Sequence, residues 1–196
     1  QYGYVNILPV YAVLIFCAPL MLFAGLRWPK RLMLGSVVMW AVAGYTFFNL
    51  PNMPTRGGWF FNPFSWQLLF IAGMLTGLAL KRGERFVPVK RWLFWPAVAY
   101  LAMALVWVKY PPFGSTMNAL LGKLSTLGFP NFTINFDKTY VSLPRLLHVL
   151  ALAYAVSTIA GFRRFADNPV VAPLAIMGRQ ALPVFAMGTL LSFLAR

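Results

Sequence analysis

Long apolar runs alternate with short polar or basic turns along the whole chain. A helix that crosses a bilayer needs about 20 mainly apolar residues. Six stretches read as such segments: 4–26, 32–50, 64–80, 92–108, 144–162 and 181–195. Pro9, Pro19 and Pro96 fall inside them, which membrane helices tolerate. Gly35, Ser36, Ala41, Ala43 and Gly44 in the second, and the Gly73/Gly77 pair in the third, are small enough for close helix contact. The third is expected to start after Pro63, since a first helical turn accepts proline without losing a hydrogen bond. The connection 109–143 is long, and loops of that length often hold structure of their own. Leucines at 120, 121, 124 and 127 predict a short amphipathic helix over 117–127, lying on the surface. Residues 170–177 predict a short or re-entrant helix, broken by Pro173 and stopped at Gly178-Arg179-Gln180. The predicted fold is an all-α, polytopic membrane helical bundle of about six hydrophobic segments. A long outer loop carries the amphipathic helix.

Composition strengthens this reading. The chain is 60% hydrophobic and only 10% charged, whereas a soluble domain carries about a quarter charged residues. Such a sequence cannot cover a water-facing surface. The net charge of +14 is read through the positive-inside rule rather than as a nucleic-acid footprint. Three turns (27–31, 81–91, 163–164) hold ten of the seventeen basic residues. The turns 51–63 and 109–143 hold only Arg56, Lys109, Lys123 and Lys138. The first set is therefore expected to face the cytoplasm, and the second the outer side of the membrane. The chain starts at Gln1 and ends within an apolar run, so it is expected to be one segment (1–196) of a larger membrane protein.

Several chemistries are excluded. A lone cysteine, Cys17, permits no internal disulfide, and a single histidine permits no multi-histidine metal site. No phosphate-cradling glycine loop, nucleophile elbow or carboxylate cluster occurs. No metal and no bound cofactor is expected.

Two constellations remain. The turn 57–67 packs Trp59, Phe60, Phe61, Asn62, Phe64, Trp66 and Gln67 between paired glycines and an apolar helix. Aromatics alone would make an interfacial belt. The amides beside them, with Asn62, Trp66 and Gln67 stacked at a helix start, suit a sugar ring. The N-terminus of that helix also offers free N–H groups to an anion. Arg145 and His148 stand three residues apart, on one helix face just inside the outer boundary. Arg145 could snorkel to headgroups and His148 could serve helix packing. As a pair lining an outward pocket, they offer a cation and a group that exchanges protons near neutral pH. The substrate-binding set is thus Trp59, Asn62, Trp66, Gln67, Arg145 and His148, and Trp66 or Gln67 is expected to approach the Arg145–His148 face.

The motif Gly57-Gly58-Trp59-Phe60-Phe61-Asn62-Pro63-Phe64-Ser65-Trp66-Gln67-Leu68-Leu69-Phe70 closely resembles the signature of the OpgC family. Ile7-Leu8-Pro9-Val10-Tyr11, Pro144-Arg145-Leu146-Leu147-His148-Val149-Leu150-Ala151-Leu152-Ala153-Tyr154 and Met177-Gly178-Arg179-Gln180-Ala181-Leu182-Pro183-Val184-Phe185 are similar to the same family, in the same order. The resemblance implies a multi-spanning bacterial inner-membrane acyltransferase of the acyltransferase-3 type, which would put the turns 51–63 and 109–143 in the periplasm. It would transfer succinyl groups, with succinyl-CoA as acyl-CoA co-substrate, to osmoregulated periplasmic glucans. The expected partners are membrane lipid and a saccharide acceptor, with no nucleic acid. The wider group carries its proposed catalytic histidine on an early helix that nothing here matches. His148 belongs to a different motif and stays a candidate for proton transfer, not an assigned base. Two rivals stand beside this reading: a transporter or exporter of an anionic saccharide or lipid-linked substrate, and a non-catalytic membrane subunit.

Overall fold

A computed structural model describes residues 6–52, 57–166 and 168–194. The expected start of the first segment at Tyr4, Arg56 in the polar turn, Asp167 and the expected end at Ala195 lie outside the described residues. Ten α-helices follow in order: α1 (Ile7–Arg27), α2 (Pro29–Thr46), α3 (Pro63–Lys81), α4 (Arg91–Lys109), α5 (Pro111–Thr126), α6 (Asn131–Ile134), α7 (Leu143–Thr158), α8 (Ala160–Ala166), α9 (Ala172–Arg179) and α10 (Ala181–Leu194). A 3₁₀ turn (Pro169–Val171) precedes α9. The chain is thus the all-α bundle its apolar pattern predicts.

Proline and asparagine explain several of the starts. Asn62 caps α3, its side-chain oxygen accepting from the Phe64 N–H at 3.0 Å. Pro63 follows in the first turn, where its missing N–H leaves nothing unsatisfied. Pro29 opens α2 and Pro111 opens α5 for the same reason. The amphipathic helix expected over 117–127 therefore begins earlier, at Pro111, and runs 16 residues against α4 and α6. Likewise Pro173 does not break the late helix; it sits in the first turn of α9.

Six apolar segments become fewer. Among the described residues three helices, α1, α3 and α4, are long and apolar enough to cross a membrane. The pair Pro169–Gly178 and Pro183–Ser192, bent by 83°, can make a fourth if taken as one broken span. The stretch 32–50 falls short because α2 starts with Lys30 and Arg31 in its first turn and ends at Thr46. Phe47 closes it in the left-handed region, at φ 56°. The stretch 144–162 divides at Ile159, whose extended backbone (ψ 114°) ends α7 after 16 residues. Val156-Ser157-Thr158-Ile159 places three β-branched residues and a serine at the break, all weak helix formers.

Packing runs in two groups. α3 lies against α1 and α2, α4 lies against α5 and α7, and α6 bridges α2 to α7. The junction holds the core: Trp40, Leu68, Val141 and Leu146, with Trp66, Leu69 and Phe132 packed against it. Phe132 stands edge-on to Trp40 at 5.3 Å. Gly44 makes that approach possible, since a Cβ there would lie 2.7 Å from the Phe132 ring. By contrast, nothing among the described residues lies within 4 Å of a Cβ built at Gly73 or Gly77, so none of them makes the helix contact expected at that pair. α4 buries no residue at all. Phe16 (86% exposed) and Val108 (79%) show how much apolar surface α1 and α4 present outward. Water would penalise that surface by about 25 cal/mol per Å², and lipid removes the penalty.

Candidate functional site

The aromatic turn is a closed structure built from backbone bonds. Pro51 and Gly58 form an isolated antiparallel bridge. The Trp59 N–H donates to the Leu50 carbonyl (3.0 Å), and the Asn52 N–H donates to the Gly57 carbonyl (2.8 Å). Asn49 locks the closure from the side, its Nδ2 donating to the Trp59 carbonyl at 2.8 Å and its Oδ1 accepting from the Leu50 N–H at 2.8 Å. Gly58 is required for this, because a Cβ there would sit 2.5 Å from Asn49 Nδ2. Gly57 is required for its own backbone, at φ 119°.

A second loop, 136–142, is stitched beneath it. Asp137 turns that loop by accepting the N–H groups of Thr139 (3.0 Å) and Tyr140 (3.2 Å). The Asn62 N–H donates to the Thr139 carbonyl (3.1 Å). Asn62 Nδ2 donates to the Phe48 carbonyl (2.6 Å). Trp66 Nε1 donates to the Lys138 carbonyl (3.0 Å), and Trp40 Nε1 donates to the Val141 carbonyl (2.9 Å). The Tyr140 hydroxyl returns to the Phe47 carbonyl at 2.7 Å. Asn62 is wholly buried among these bonds.

Between the two loops lies a recess of about 740 Å³. Its polar wall is Asn6, Asn49, Asn52, Trp59, Thr139 and Tyr140, with Phe47 and Phe60 adding ring surface. Every described residue on that wall is uncharged. Asn6 Oδ1 is buried there with no hydrogen-bond partner. Trp59 is half-buried, its indole N–H donating to the Pro51 carbonyl at 3.2 Å. The Tyr140 hydroxyl is held protonated above its usual 10.0 by burial, and secondarily by the Asp137 carboxylate. Neutral donors and acceptors beside aromatic rings suit a polyhydroxyl ligand better than an ion.

The six residues expected to bind substrate separate into three places. Trp59 is on the recess wall. Asn62, Trp66 and Gln67 share the first turn of α3, but their polar groups are engaged within the protein. Gln67 faces α2, its Oε1 accepting from Ser36 Oγ (2.6 Å) and its Nε2 donating to the Ser36 carbonyl (2.9 Å). Arg145 is half-buried at the start of α7, its Nη2 donating to the Phe136 carbonyl at 3.2 Å and its Nε buried without a partner. His148 is exposed, its ring tilted 63° against Tyr100 with centroids 6.4 Å apart. Of the α3 group, Trp66 packs against the core cluster that holds Leu146 of α7 and donates to the Lys138 carbonyl.

The recess also uses residues that the sequence reading assigned no role: Asn6, Asn49, Asn52 and Tyr140. Asn49-Leu50-Pro51-Asn52, two asparagines flanking a proline where an apolar helix ends, is the signal that could have found two of them.

Apolar helices exposed on their long faces, three of them among the described residues long enough to cross a membrane, define a multi-helix membrane protein. The chain belongs to the OpgC protein family, whose model matches residues 1–196. No curated protein and no solved structure matches it. At the level of the family, membership supports a membrane acyltransferase-like role in glucan modification.

Proposed function

We propose that the protein is an inner-membrane O-acyltransferase that moves a succinyl or other acyl group from acyl-CoA to a periplasmic glucan or related envelope saccharide. Basic turns 27–31, 81–91 and 163–164 would face the cytoplasm, and 51–63 and 109–143 the periplasm. The reading rests on family membership and on one observation: a recess of about 740 Å³ whose described lining residues are uncharged, with aromatic rings and amides among them. A sugar ring would stack on Trp59, and its hydroxyls would bond to the polar groups of the wall.

In the reaction, an acceptor hydroxyl loses its proton to a base and its oxygen attacks the thioester carbonyl. The C–S bond then breaks, and coenzyme A leaves as the thiol. A base and oxyanion donors are needed; His148 is the one imidazole in the chain, and the base is left unassigned. Arg145, half-buried at the start of α7, is the cation offered to the free carboxylate of a succinyl group.

The test is acyl transfer by the purified protein with succinyl-CoA and glucan. Trp59→Ala should raise the acceptor KM by roughly 10- to 30-fold, the loss expected for a stacked Trp anchor. An unchanged acceptor KM would remove the recess from the reaction, and no acylated product would favour a transporter.

A further inference from the structure

A second cavity lies at the opposite, basic end of the bundle. It measures about 1000 Å³ and opens between α4, α7, the end of α3 and the turn 83–87. Leu80, Ala97, Tyr100, Leu147 and Ala151 give it apolar walls. Its size and lining are those of a small-molecule site, which typically spans roughly 300–1,000 Å³. The segment above it is fastened to α7. The Tyr154 hydroxyl donates to the Pro88 carbonyl (3.0 Å) and accepts from the Lys90 N–H (3.1 Å). Arg85 Nη2 donates to the Ser157 carbonyl (3.2 Å). The cavity is therefore bounded by specific bonds and is more than a gap between neighbouring helices.

Arg85 and Glu84 both line the cavity, one charge of each sign. The excess of cations lies in the turn beside it, where Lys81, Arg82, Lys90 and Arg91 are exposed. An apolar slot ending in a cluster of cations selects an amphiphile with an apolar tail and an anionic head. Basic pockets between membrane helices hold anionic lipid headgroups for this reason. The walls offer few donors to the amides and hydroxyls of a coenzyme A arm, and a succinyl group has no tail to fill them.

We propose that this cavity is an anionic phospholipid site, with one acyl chain between α4 and α7 and the phosphate at Arg85. The lipid would wedge α4 against α7. The site is independent of which saccharide or acyl group the recess serves, and of which way the chain faces the membrane.

The experiment incubates the purified protein with vesicles of phosphatidylcholine, with and without phosphatidylglycerol. Retained lipid is then counted by native mass spectrometry. Phosphatidylglycerol should be retained in preference to phosphatidylcholine. Arg85→Gln should lower that preference about fivefold, the effect of one surface cation on an anionic lipid. The double variant R85Q/K90Q should lower it further. Ala151→Trp should reduce retention of both lipids by filling the slot. If A151W does not fold, the arginine and lysine variants decide alone, since both side chains are exposed. Equal retention of the two lipids by the unaltered protein would overturn the proposal. So would an unchanged preference in R85Q/K90Q, or release of the lipid by coenzyme A.

Discussion

Ser36 and Gln67 clamp α2 to α3 by a reciprocal pair of bonds. Ser36 Oγ donates to Gln67 Oε1 at 2.6 Å, and Gln67 Nε2 donates to the Ser36 carbonyl at 2.9 Å. Both residues are buried. Gln67→Ala leaves the serine hydroxyl without its acceptor and should cost about 1–2 kcal/mol. Unfolding in a denaturing detergent titration should show that loss. In a double-mutant cycle with Ser36→Ala, the two losses should fall short of additive. Additive losses would mean that the pair is not the clamp.

Asn62 ends one helix approach and begins another. Asn62→Ala removes the α3 cap and the bond to the Phe48 carbonyl together. The expected cost is about 1–2 kcal/mol for the cap, plus about 1 kcal/mol for the second bond. Asn62→Ser should recover the cap alone. Hydrogen exchange should then show the chain around Phe48 opening in both variants.

The glycines divide cleanly. Gly58→Ala drives a Cβ into Asn49 and should open the aromatic turn, raising the acceptor KM with little change in kcat. Gly73→Ala and Gly77→Ala meet nothing within 4 Å and should leave transfer unchanged. Each should stabilise its helix, by up to about 1 kcal/mol from propensity. A Gly58→Ala protein with an ordinary KM would separate the turn from the binding site.

The helical class was legible because apolar runs without charges have few other solutions. The start of α3 was legible in Pro63. The role of Gln67 was not. A glutamine beside aromatics reads as a rim residue, yet its partner Ser36 lies 31 positions away and only packing brings them together. The recess was half legible. Trp59 announced itself through composition, while Asn6, Asn49 and Tyr140 are ordinary loop residues until the chain folds them around one space. The break at Ile159 was hidden because apolar β-branched residues extend a hydropathy run while weakening the helix beneath it.

Arg145 offers a test of acyl-group choice. Arg145→Leu removes the one cation proposed to meet a succinyl carboxylate. Succinyl transfer should fall at least tenfold more than acetyl transfer by the same variant, about 1.4 kcal/mol of discrimination. Equal losses would assign the arginine to holding the Phe136 carbonyl.

Tyr140 gives the fold an alkaline limit. Its hydroxyl titrates above 10.0 in the folded chain, first through burial and then through Asp137. The folded state therefore holds the phenol proton more tightly than the unfolded state. This contribution is fully present below pH 10.0 and is lost as the pH rises through the folded value. Unfolding midpoints measured from neutral pH to above 10 should fall for the unaltered protein, and the fall should be smaller in Tyr140→Phe.

The stitching of loop 136–142 is lopsided in its chemistry. Trp40, Asn62, Trp66, Tyr140 and Arg145 each donate a side-chain bond to a backbone carbonyl: those of Val141, Phe48, Lys138, Phe47 and Phe136. Every residue type carries that acceptor. The donors must therefore keep their identity, whereas Lys138 need only keep its place; Phe136 also stands edge-on to Trp107 at 5.2 Å. The side chain at 138 could change on an unchanged frame.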